Sequence, residues 1–259
     1  MKSALWIARR DIGSFFSSPV FYVVTTVFLV LYSFLFFAIL SDFSQASLQA
    51  APQAAQLQKA GYSINANDMV IVPSLGNMSI ILLFMIPLIT MRSFAEERKS
   101  KTFSLLLSSP VHLREIVAGK FLACFTIVAF MILLSSYSII MIAMLGEPEW
   151  GPIISGYLGL FLMMGCYIAM GVFASSLTDN QIVAAVIGFG LAFLMWLMAL
   201  PAQSADSGVG TILEYLSLGS HLESFLKGII DSSDLAYYLS FMAFVLFITY
   251  RVLDSRRWR

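Results

Sequence analysis

Six long runs of apolar residues divide this chain, and none of the six contains Asp, Glu, Lys, Arg or His. Each run is close to the roughly 20 residues that an α-helix needs to cross the hydrocarbon core of a membrane. Charged residues make up only 12% of the 259 positions, about half of their usual share in a soluble domain. We therefore predict an all-α integral membrane protein, a single transmembrane domain over residues 1–259. The predicted spans are Phe21–Leu40, Leu75–Met91, Phe121–Leu145, Ile153–Ser175, Ile182–Leu200 and Leu235–Tyr250.

The Lys and Arg residues predict which way these spans cross the membrane. Short loops on the cytoplasmic side carry an excess of positive residues. With the N-terminus placed in the cytoplasm, thirteen of the fifteen Lys and Arg residues fall in inside segments, and only Lys59 and Lys227 fall outside. Nine of the fifteen acidic residues fall outside, so the formal net charge of zero hides a strong charge asymmetry. We therefore predict that both termini are cytoplasmic.

Residues 1–18 predict an amphipathic elbow helix on the inner membrane surface. A frayed terminus is the alternative, but the indole and the paired arginines favour a helix at the interface. Ser17-Ser18-Pro19 is expected to end the helix before the first span. The apolar side chains expected to face lipid are Leu5, Trp6, Phe15 and Phe16, and the charged ones expected to face water and head groups are Arg9, Arg10 and Asp11.

The longest charged segment between apolar runs is residues 92–120, RSFAEERKSKTFSLLLSSPVHLREIVAGK. It holds six of the fifteen Lys and Arg residues, together with Glu96, Glu97 and Glu115. Because hydrocarbon cannot host such a segment, it must lie in water or against a soluble partner. Its middle alternates apolar and polar side chains, which predicts a short amphipathic helix for a partner to bind. The apolar residues of this helix are Phe103, Leu105, Leu106 and Leu107.

Two outside segments are longer than a simple turn. Residues 42–73 are rich in Ala and Gln, are too short for a folded domain, and have no role that the sequence identifies. Residues 203–234 carry apolar side chains at helical spacing, broken near Gly219, which predicts two short re-entrant helices in the outer interface. The second helix contains Leu222, Phe225 and Leu226. Ser232 or Ser233, followed by Asp234, is expected to cap the last span.

The dipeptide Gly119-Lys120 does not belong to a phosphate-binding loop. Such a loop requires another glycine five residues earlier and Ser or Thr directly after the lysine. Here Arg114 and Phe121 occupy those two positions. The chain is therefore expected to bind no ATP and no cofactor of its own.

Other catalytic or ion-translocating chemistry is also missing from the sequence. His112 and His221 are predicted on opposite sides of the membrane and cannot share a metal, and Glu96 and Glu97 have no second acidic or histidine ligand in any span. Ion pumps keep ionisable residues in their spans, and no selectivity-filter motif is present. We expect a non-catalytic scaffold moved by a partner. Small residues expected to permit close helix approach are Gly156, Gly159, Gly165, Gly171, Ser175, Ser176, Gly188 and Gly190.

Three segments resemble one family of transport proteins over essentially the whole chain. The run RSFAEERKSKTFSLLLSSPVHLREIVAGKF resembles the cytoplasmic loop between spans two and three of type-2 (ABC-2) ABC exporter permeases. The run FASSLTDNQIVAAVIGFG resembles the junction between spans four and five of that family. The tail SHLESFLKGIIDSSDLAYYLSFMAFVLFITYRVLDSRRWR is similar to the gliding-motility (GldF-like) and nitrous-oxide-accessory (NosY-like) branch. Residues 42–73 are less typical of the family.

The resemblance implies a larger assembly in the bacterial cytoplasmic (inner) membrane. Two copies of this subunit, or one copy and a homologue, would pair through spans one and five. Two separate ATPase subunits, which would carry the ATP and Mg, would dock on the cytoplasmic face near the elbow helix. By position, polar contacts to the ATPase would come from Glu96, Glu97 and Arg98. The coupling helix held in its groove would include Thr102, Phe103, Leu105 and Leu106.

Two functions remain open under this resemblance, and neither involves nucleic acid. The first is an ABC permease subunit that couples the partner's ATP hydrolysis to export or mechanical work. The second is a non-transporting scaffold that transmits motion to an extracytoplasmic partner, such as the membrane-anchored GldG-like protein that often accompanies the GldF-like branch. The absence of charge in the spans fits such a scaffold, or a hydrophobic cargo. An intramembrane enzyme is a third class, and the chain lacks the side chains for it.

Overall fold

The computed structural model describes residues 2–50, 52, 65–101, 111–145, 148–199 and 208–257 of the chain. Within these residues every regular element is helical and no strand occurs, which confirms the all-α prediction for them. A π-helical turn, Asn67–Ile71, precedes the third helix. The α-helices are α1 (Lys2–Ser17), α2 (Pro19–Ala50), α3 (Val72–Thr90), α4 (Arg92–Lys99), α5 (Leu113–Leu134), α6 (Tyr137–Leu145), α7 (Trp150–Leu177), α8 (Gln181–Leu197), α9 (Gly208–Leu216), α10 (Leu218–Leu226) and α11 (Ser232–Arg257).

Five helical stretches of the described chain are long and apolar enough to cross a membrane. They confirm the prediction of a membrane protein by length and composition. The apolar helix α8, which corresponds to the fifth predicted span, has 17 residues, or about 26 Å at the α-helical rise. A sixth span therefore stays a prediction. The five stretches are Pro19–Ala50, Asn67–Lys99, Leu113–Met144, Trp150–Leu177 and Ser232–Ser255.

Two helices extend well beyond the spans that hydropathy predicted. Helix α2 continues from Leu40 to Ala50, into the segment expected to be an outside loop, because no Gly or Pro interrupts the chain before Pro52. Helix α5 begins at Leu113, upstream of the expected start at Phe121. Hydropathy marks the part of a helix that lies in hydrocarbon, whereas the backbone hydrogen bonds continue through polar residues on either side.

The third predicted span is interrupted between α5 and α6. The Ser135 hydroxyl donates to the Ile132 carbonyl at 2.6 Å, and the Ser136 hydroxyl donates to the Leu133 carbonyl at 2.7 Å. Serine hydroxyls that bond back to the preceding turn bend helices. Ser138, just after the interruption, lies 2.7 Å from the Tyr32 hydroxyl of α2. This hydrogen bond connects α6, the part of the span after the interruption, to α2.

Helix α7 lies at the centre of the bundle and packs against α3, α8, α10 and α11. Gly159 of α7 permits the close approach of α10, because a Cβ atom there would lie 2.5 Å from the Phe225 Cβ. Close packing at the predicted small residues is confirmed at this position. Gly190 of α8 differs, since no atom of the described residues lies within 4 Å of where its Cβ would be.

Candidate functional site

One end of the bundle gathers the N-terminal helix and the charged segment that follows α3. Helix α4 is fixed beneath the end of α7 by a single hydroxyl. The Ser175 Oγ accepts hydrogen bonds from the backbone N–H groups of Phe94 and Ala95 at 3.0 and 3.1 Å. The same hydroxyl donates to the Met91 carbonyl at 2.9 Å. Since Phe94 and Ala95 are fully buried, α4 is part of the packed bundle.

A cluster of four charged side chains, two positive and two negative, joins α1, α4 and α5 at this end. The Lys120 Nζ lies 2.7 Å from the Glu97 Oε1 and 2.8 Å from the Asp11 Oδ2. The Arg10 Nη2 lies 2.7 Å from the same Glu97 oxygen and 2.8 Å from the Asp11 Oδ1. The Lys120 side chain is only 5% exposed. Two cations and two anions therefore compensate one another, and only Arg10, whose side chain is 53% exposed, is open to water.

The surroundings of Arg10 act on its pKa in opposite directions. Burial favours the uncharged guanidinium and lowers the pKa, whereas the carboxylates of Asp11 and Glu97 raise it, and the net shift is upward. Arg10 is therefore a fixed positive charge within the cluster.

Helix α1 reaches this cluster because α5 presents a glycine to it. A Cβ atom at residue 119 would lie 2.8 Å from the Ala4 carbonyl oxygen and 2.9 Å from the Ile7 Cβ. Gly119 thus lets the two backbones approach closely, one residue before Lys120. Ala4 and Ile7 are buried in this contact.

Three further polar contacts involve α4 and its flanks. The Arg98 Nη1 lies 3.3 Å from the Asp179 Oδ1, in the turn between α7 and α8. The Arg92 Nη1 donates to the Ser18 hydroxyl at 2.6 Å, where α1 passes into α2. Arg92 Nε also lies 3.3 Å from the Glu96 Oε2. The charged segment is therefore connected to α1, α2, α5 and the α7–α8 turn.

A cavity of about 310 Å³ opens between α1, α4 and α5, beside the charge cluster. Six charged side chains line it, three of each sign. Its remaining lining is small or apolar and comes from Ser14, Phe15, Ser93, Ala123 and Cys124. The charged side chains are Arg10, Arg92, Lys120, Asp11, Glu96 and Glu97.

The structure places the predicted ATPase-contacting residues in different surroundings. The Glu96 side chain is 52% exposed, whereas the Glu97 side chain is 17% exposed and the Arg98 side chain is 8% exposed. All three make ion pairs within the chain, and Glu96 is the one whose side chain is exposed enough to contact a partner. Thr102, Phe103, Leu105 and Leu106, which carry the predicted coupling helix, lie outside the described residues.

Helix α1 exposes one predicted face and buries part of the other. Leu5 and Trp6 are exposed, and the Arg9 guanidinium lies 5.8 Å from the Trp6 ring centroid. The expectation that Asp11 faces water is wrong, because its carboxylate pairs with Arg10 and Lys120. Ala4, Ile7, Ala8 and Asp11 recur at helical spacing. That period is the sequence signal that could have identified the inward face.

The predicted outer residues lie at the opposite end of the bundle. Leu222, Phe225 and Leu226 of α10 are buried against the other helices, and the helix begins after Ser217 rather than breaking at Gly219. The position of these two short helices in a membrane interface stays a prediction.

Helices α10 and α11 are joined by a buried hydrogen bond between His221 and Asp234 that the sequence did not reveal. The His221 Nδ1 lies 2.7 Å from the Asp234 Oδ1, and the His221 Nε2 lies 2.9 Å from the Tyr215 carbonyl oxygen.

The prediction that Ser232 or Ser233 caps the last span is wrong, because the preceding residue, Asp231, makes the capping hydrogen bond. The Ser233 N–H donates to Asp231 Oδ1 at 2.9 Å. This backbone hydrogen bond lowers the pKa of the Asp231 carboxyl.

Comparison with known proteins gives one clear result. A family model described as "ABC-2 family transporter protein" matches residues 5–253. The match runs from α1 into α11 and includes every residue of the charge cluster. A search of curated proteins finds no match to the chain. Among the described residues, no group of three or more His, Cys, Asp or Glu side chains could hold a metal ion.

Proposed function

The chain belongs to the ABC-2 family of transporter proteins, and we propose that it couples ATP hydrolysis by a separate ATPase subunit to export or mechanical work. Family membership makes it a multi-pass transmembrane subunit of an ABC transporter. Such subunits are usually non-catalytic, so ATP and Mg would bind to the partner. The coupling step is the part that requires a test.

The observation that carries this proposal is the attachment of α4 to the bundle. A helix that transmits force must move together with the helices it drives. Ser175 bonds the start of α4 to α7, and the Glu97 carboxylate bonds its end to α1 and α5. A displacement of the segment after Lys99 would therefore reach α1 and the two membrane helices α5 and α7 at once, rather than being absorbed by a flexible loop.

The direction of the chain at the end of α4 supports the same proposal. Lys101 has a φ of 57°, in the left-handed region, which turns the backbone away from the helix axis. The residues that follow, 102–110, include the amphipathic run that we expect to lie in the ATPase groove. A sharp, ordered turn between a fixed helix and a docking segment is suited to transmitting motion.

We further propose that the subunit pairs with a second copy or a homologue through α2 and α8. Both helices carry large apolar side chains that the single chain leaves exposed. A facing subunit or lipid must cover such a surface. The exposed side chains include Phe34 and Phe37 of α2 and Ile182 and Val186 of α8.

Export and mechanotransmission differ in whether anything crosses the membrane. The six apolar runs contain no charged residue, which favours a hydrophobic cargo or none. The GldF-like branch, the GldG-like extracytoplasmic partner and the inner-membrane location belong to this proposal as well. Reconstitution with the ATPase, followed by assays of ATP-dependent cargo movement, separates the two alternatives.

The coupling proposal predicts that Leu105→Asp with Leu106→Asp releases the ATPase. A short amphipathic helix docks mainly by burying its apolar face, and a lost buried leucine costs about 2–5 kcal/mol. That loss weakens association by about tenfold or more. Copurification of the ATPase with the tagged permease, and its ATP turnover, are the measurements.

Lys99→Ala is the matched control for this experiment. The residue is exposed on α4, and an exposed charge contributes about 0–1 kcal/mol, so copurification should be nearly unchanged. Both variants leave the predicted spans intact. If the double aspartate variant retains a full complement of ATPase with normal turnover, residues 102–107 are not the docking element.

A further inference from the structure

The cavity between α1, α4 and α5 is large enough for a small polar ligand. Its volume of about 310 Å³ is at the lower end of the range of ligand-binding pockets. Its three positive and three negative side chains leave no net charge. A cavity of this kind gives no general attraction to anions. It favours a ligand that carries both charges and is neutral overall.

The two arginines that line the cavity each have guanidinium nitrogens that make no hydrogen bond to the described residues. Arg10 uses Nε and Nη2 for Asp11 and Glu97, and Arg92 uses Nη1 for Ser18, whereas its buried Nε makes no hydrogen bond within the described residues and lies 3.3 Å from the Glu96 Oε2. Arg10 Nη1 and Arg92 Nη2 make no hydrogen bond to the residues that the structure describes. Guanidinium groups are well suited to bind a phosphate group, because they can donate two parallel hydrogen bonds to its oxygens.

A carboxylate stands next to one of these arginines. The Glu96 Oε2 lies 3.3 Å from the Arg92 Nε, and the Glu96 side chain is half exposed. A ligand whose phosphate bonds to Arg92 can therefore place an ammonium group on Glu96, provided that a short linker joins the two charges. Phosphoethanolamine, in which two carbons separate phosphate and ammonium, has this arrangement.

A shallow apolar groove lies next to the cavity. Side chains of α1, α2 and α3 line the groove, and it shares Phe15 and Arg92 with the cavity. A ligand with its head group in the cavity would thus place an attached hydrocarbon chain on apolar side chains. The other residues of the groove are Val20, Phe21, Val24, Leu88 and Ile89.

We propose that this cavity binds the head group of phosphatidylethanolamine. The phosphate lies on Arg10 and Arg92, the ammonium bonds to Glu96, and an acyl chain follows the groove between α2 and α3. A bound lipid would thereby contact α1 and α4, the helices that the charge cluster joins. This inference stands on the cavity and its charges and does not depend on coupling to an ATPase.

The test measures lipid binding to the purified chain in detergent, without any ATPase. Native mass spectrometry with phosphatidylethanolamine and phosphatidylcholine of identical acyl chains gives the two dissociation constants. Both lipids are neutral, but the trimethylammonium of choline has no N–H to donate to Glu96. We expect phosphatidylethanolamine to bind about tenfold more tightly, as the loss of a charged hydrogen bond predicts.

A steric variant blocks the cavity without changing any charge. Ser14 lines the cavity and is exposed on α1, so Ser14→Trp should weaken phosphatidylethanolamine binding about tenfold or more. Ser17→Trp is the matched control, because Ser17 is exposed on the same helix and is not part of the lining. Its affinity should equal that of the unmodified chain.

Two charge variants test which side chain binds the ammonium and which binds the phosphate of the head group. Glu96→Gln should bring the affinities for the two lipids within about twofold of each other, because the ammonium partner is lost. Arg92→Gln should weaken both lipids equally. The proposal is overturned if Ser14→Trp binds as the unmodified chain does, or if the two lipids bind equally well. The proposal would also be overturned if soluble phosphoethanolamine competed with the same affinity as the lipid, because the site would then bind the free head group rather than the lipid.

Discussion

At the scale of the residue, Lys120 is the most deeply buried charged side chain of the cluster. Its ammonium sits among Asp11, Glu97 and the ring of Phe94, whose centroid is 5.9 Å away. Taking a lysine out of water is costly unless anions compensate it. Here two carboxylates from two other helices provide that compensation, and Arg10 in turn balances the second negative charge.

Lys120→Met is predicted to destabilise the folded chain by about 3 kcal/mol, because Asp11 and Glu97 would then share a single cation. Thermal unfolding in detergent measures the loss. Lys99→Met, at an exposed position of α4, is the control and should leave the midpoint unchanged. Adding Glu97→Gln to Lys120→Met should recover part of the loss, since the excess negative charge is removed. An unchanged midpoint for Lys120→Met would show that the cluster contributes no stability.

At the scale of the element, α1 is a packed helix rather than a tail on the membrane surface. Its inward face contacts α5 at Gly119 and ends in the ion pairs of Asp11. Its outward face exposes Leu5 and Trp6, which leaves them available to lipid. The helix therefore combines an exposed apolar surface with a fixed attachment to the bundle.

Gly119→Leu is predicted to displace α1 from α5. The new side chain would collide with the Ala4 backbone and with Ile7, and such overpacking costs about 1–3 kcal/mol. The measurement is the rate of trypsin cleavage after Arg9 and Arg10, which should rise when the helix is released. Gly13→Leu is the control, because nothing in the described structure lies within 4 Å of a Cβ there. Equal cleavage rates for the two variants would contradict a close α1–α5 contact.

At the scale of the whole molecule, the ends of the long helices define two poles. The Arg114 guanidinium at the start of α5 lies 5.4 Å from the Tyr250 ring centroid near the end of α11. The end of α11 therefore lies at the same pole as α1 and α4. At the other pole, the Asn67 amide donates to the Glu149 carbonyl at 2.9 Å, joining the starts of the α3 and α7 stretches.

The charge asymmetry predicts which pole is cytoplasmic. Cysteines at Ala54 and Gly208 should react with an impermeant thiol reagent in intact cells, whereas a cysteine at Ser100 should react only after lysis. The native Cys124 and Cys166 are buried and should add little background. Labelling of Ser100→Cys in intact cells would reverse the predicted orientation.

Much of the fold could be predicted because its cause is local. An apolar run long enough to cross a membrane can be recognised from the run itself, and the periodicity of residues 203–234 correctly indicated two short helices. The boundary between these helices lies at Ser217 rather than at Gly219, because the Ser217 hydroxyl accepts a hydrogen bond from the Ser220 N–H and caps α10. Caps and helix ends depend on single hydrogen bonds, and several neighbouring residues could have made them.

That the chain is helical, apolar and asymmetric in charge can be predicted from the residues alone, because each of these properties is a sum over neighbouring residues. The contact among Asp11, Glu97 and Lys120 instead depends on how the helices pack. Each of the three is an ordinary charged residue at a helix surface when viewed along the chain. They become a site because α1, α4 and α5 converge at Gly119 and Ser175, and a convergence of three helices depends on packing that no local pattern records.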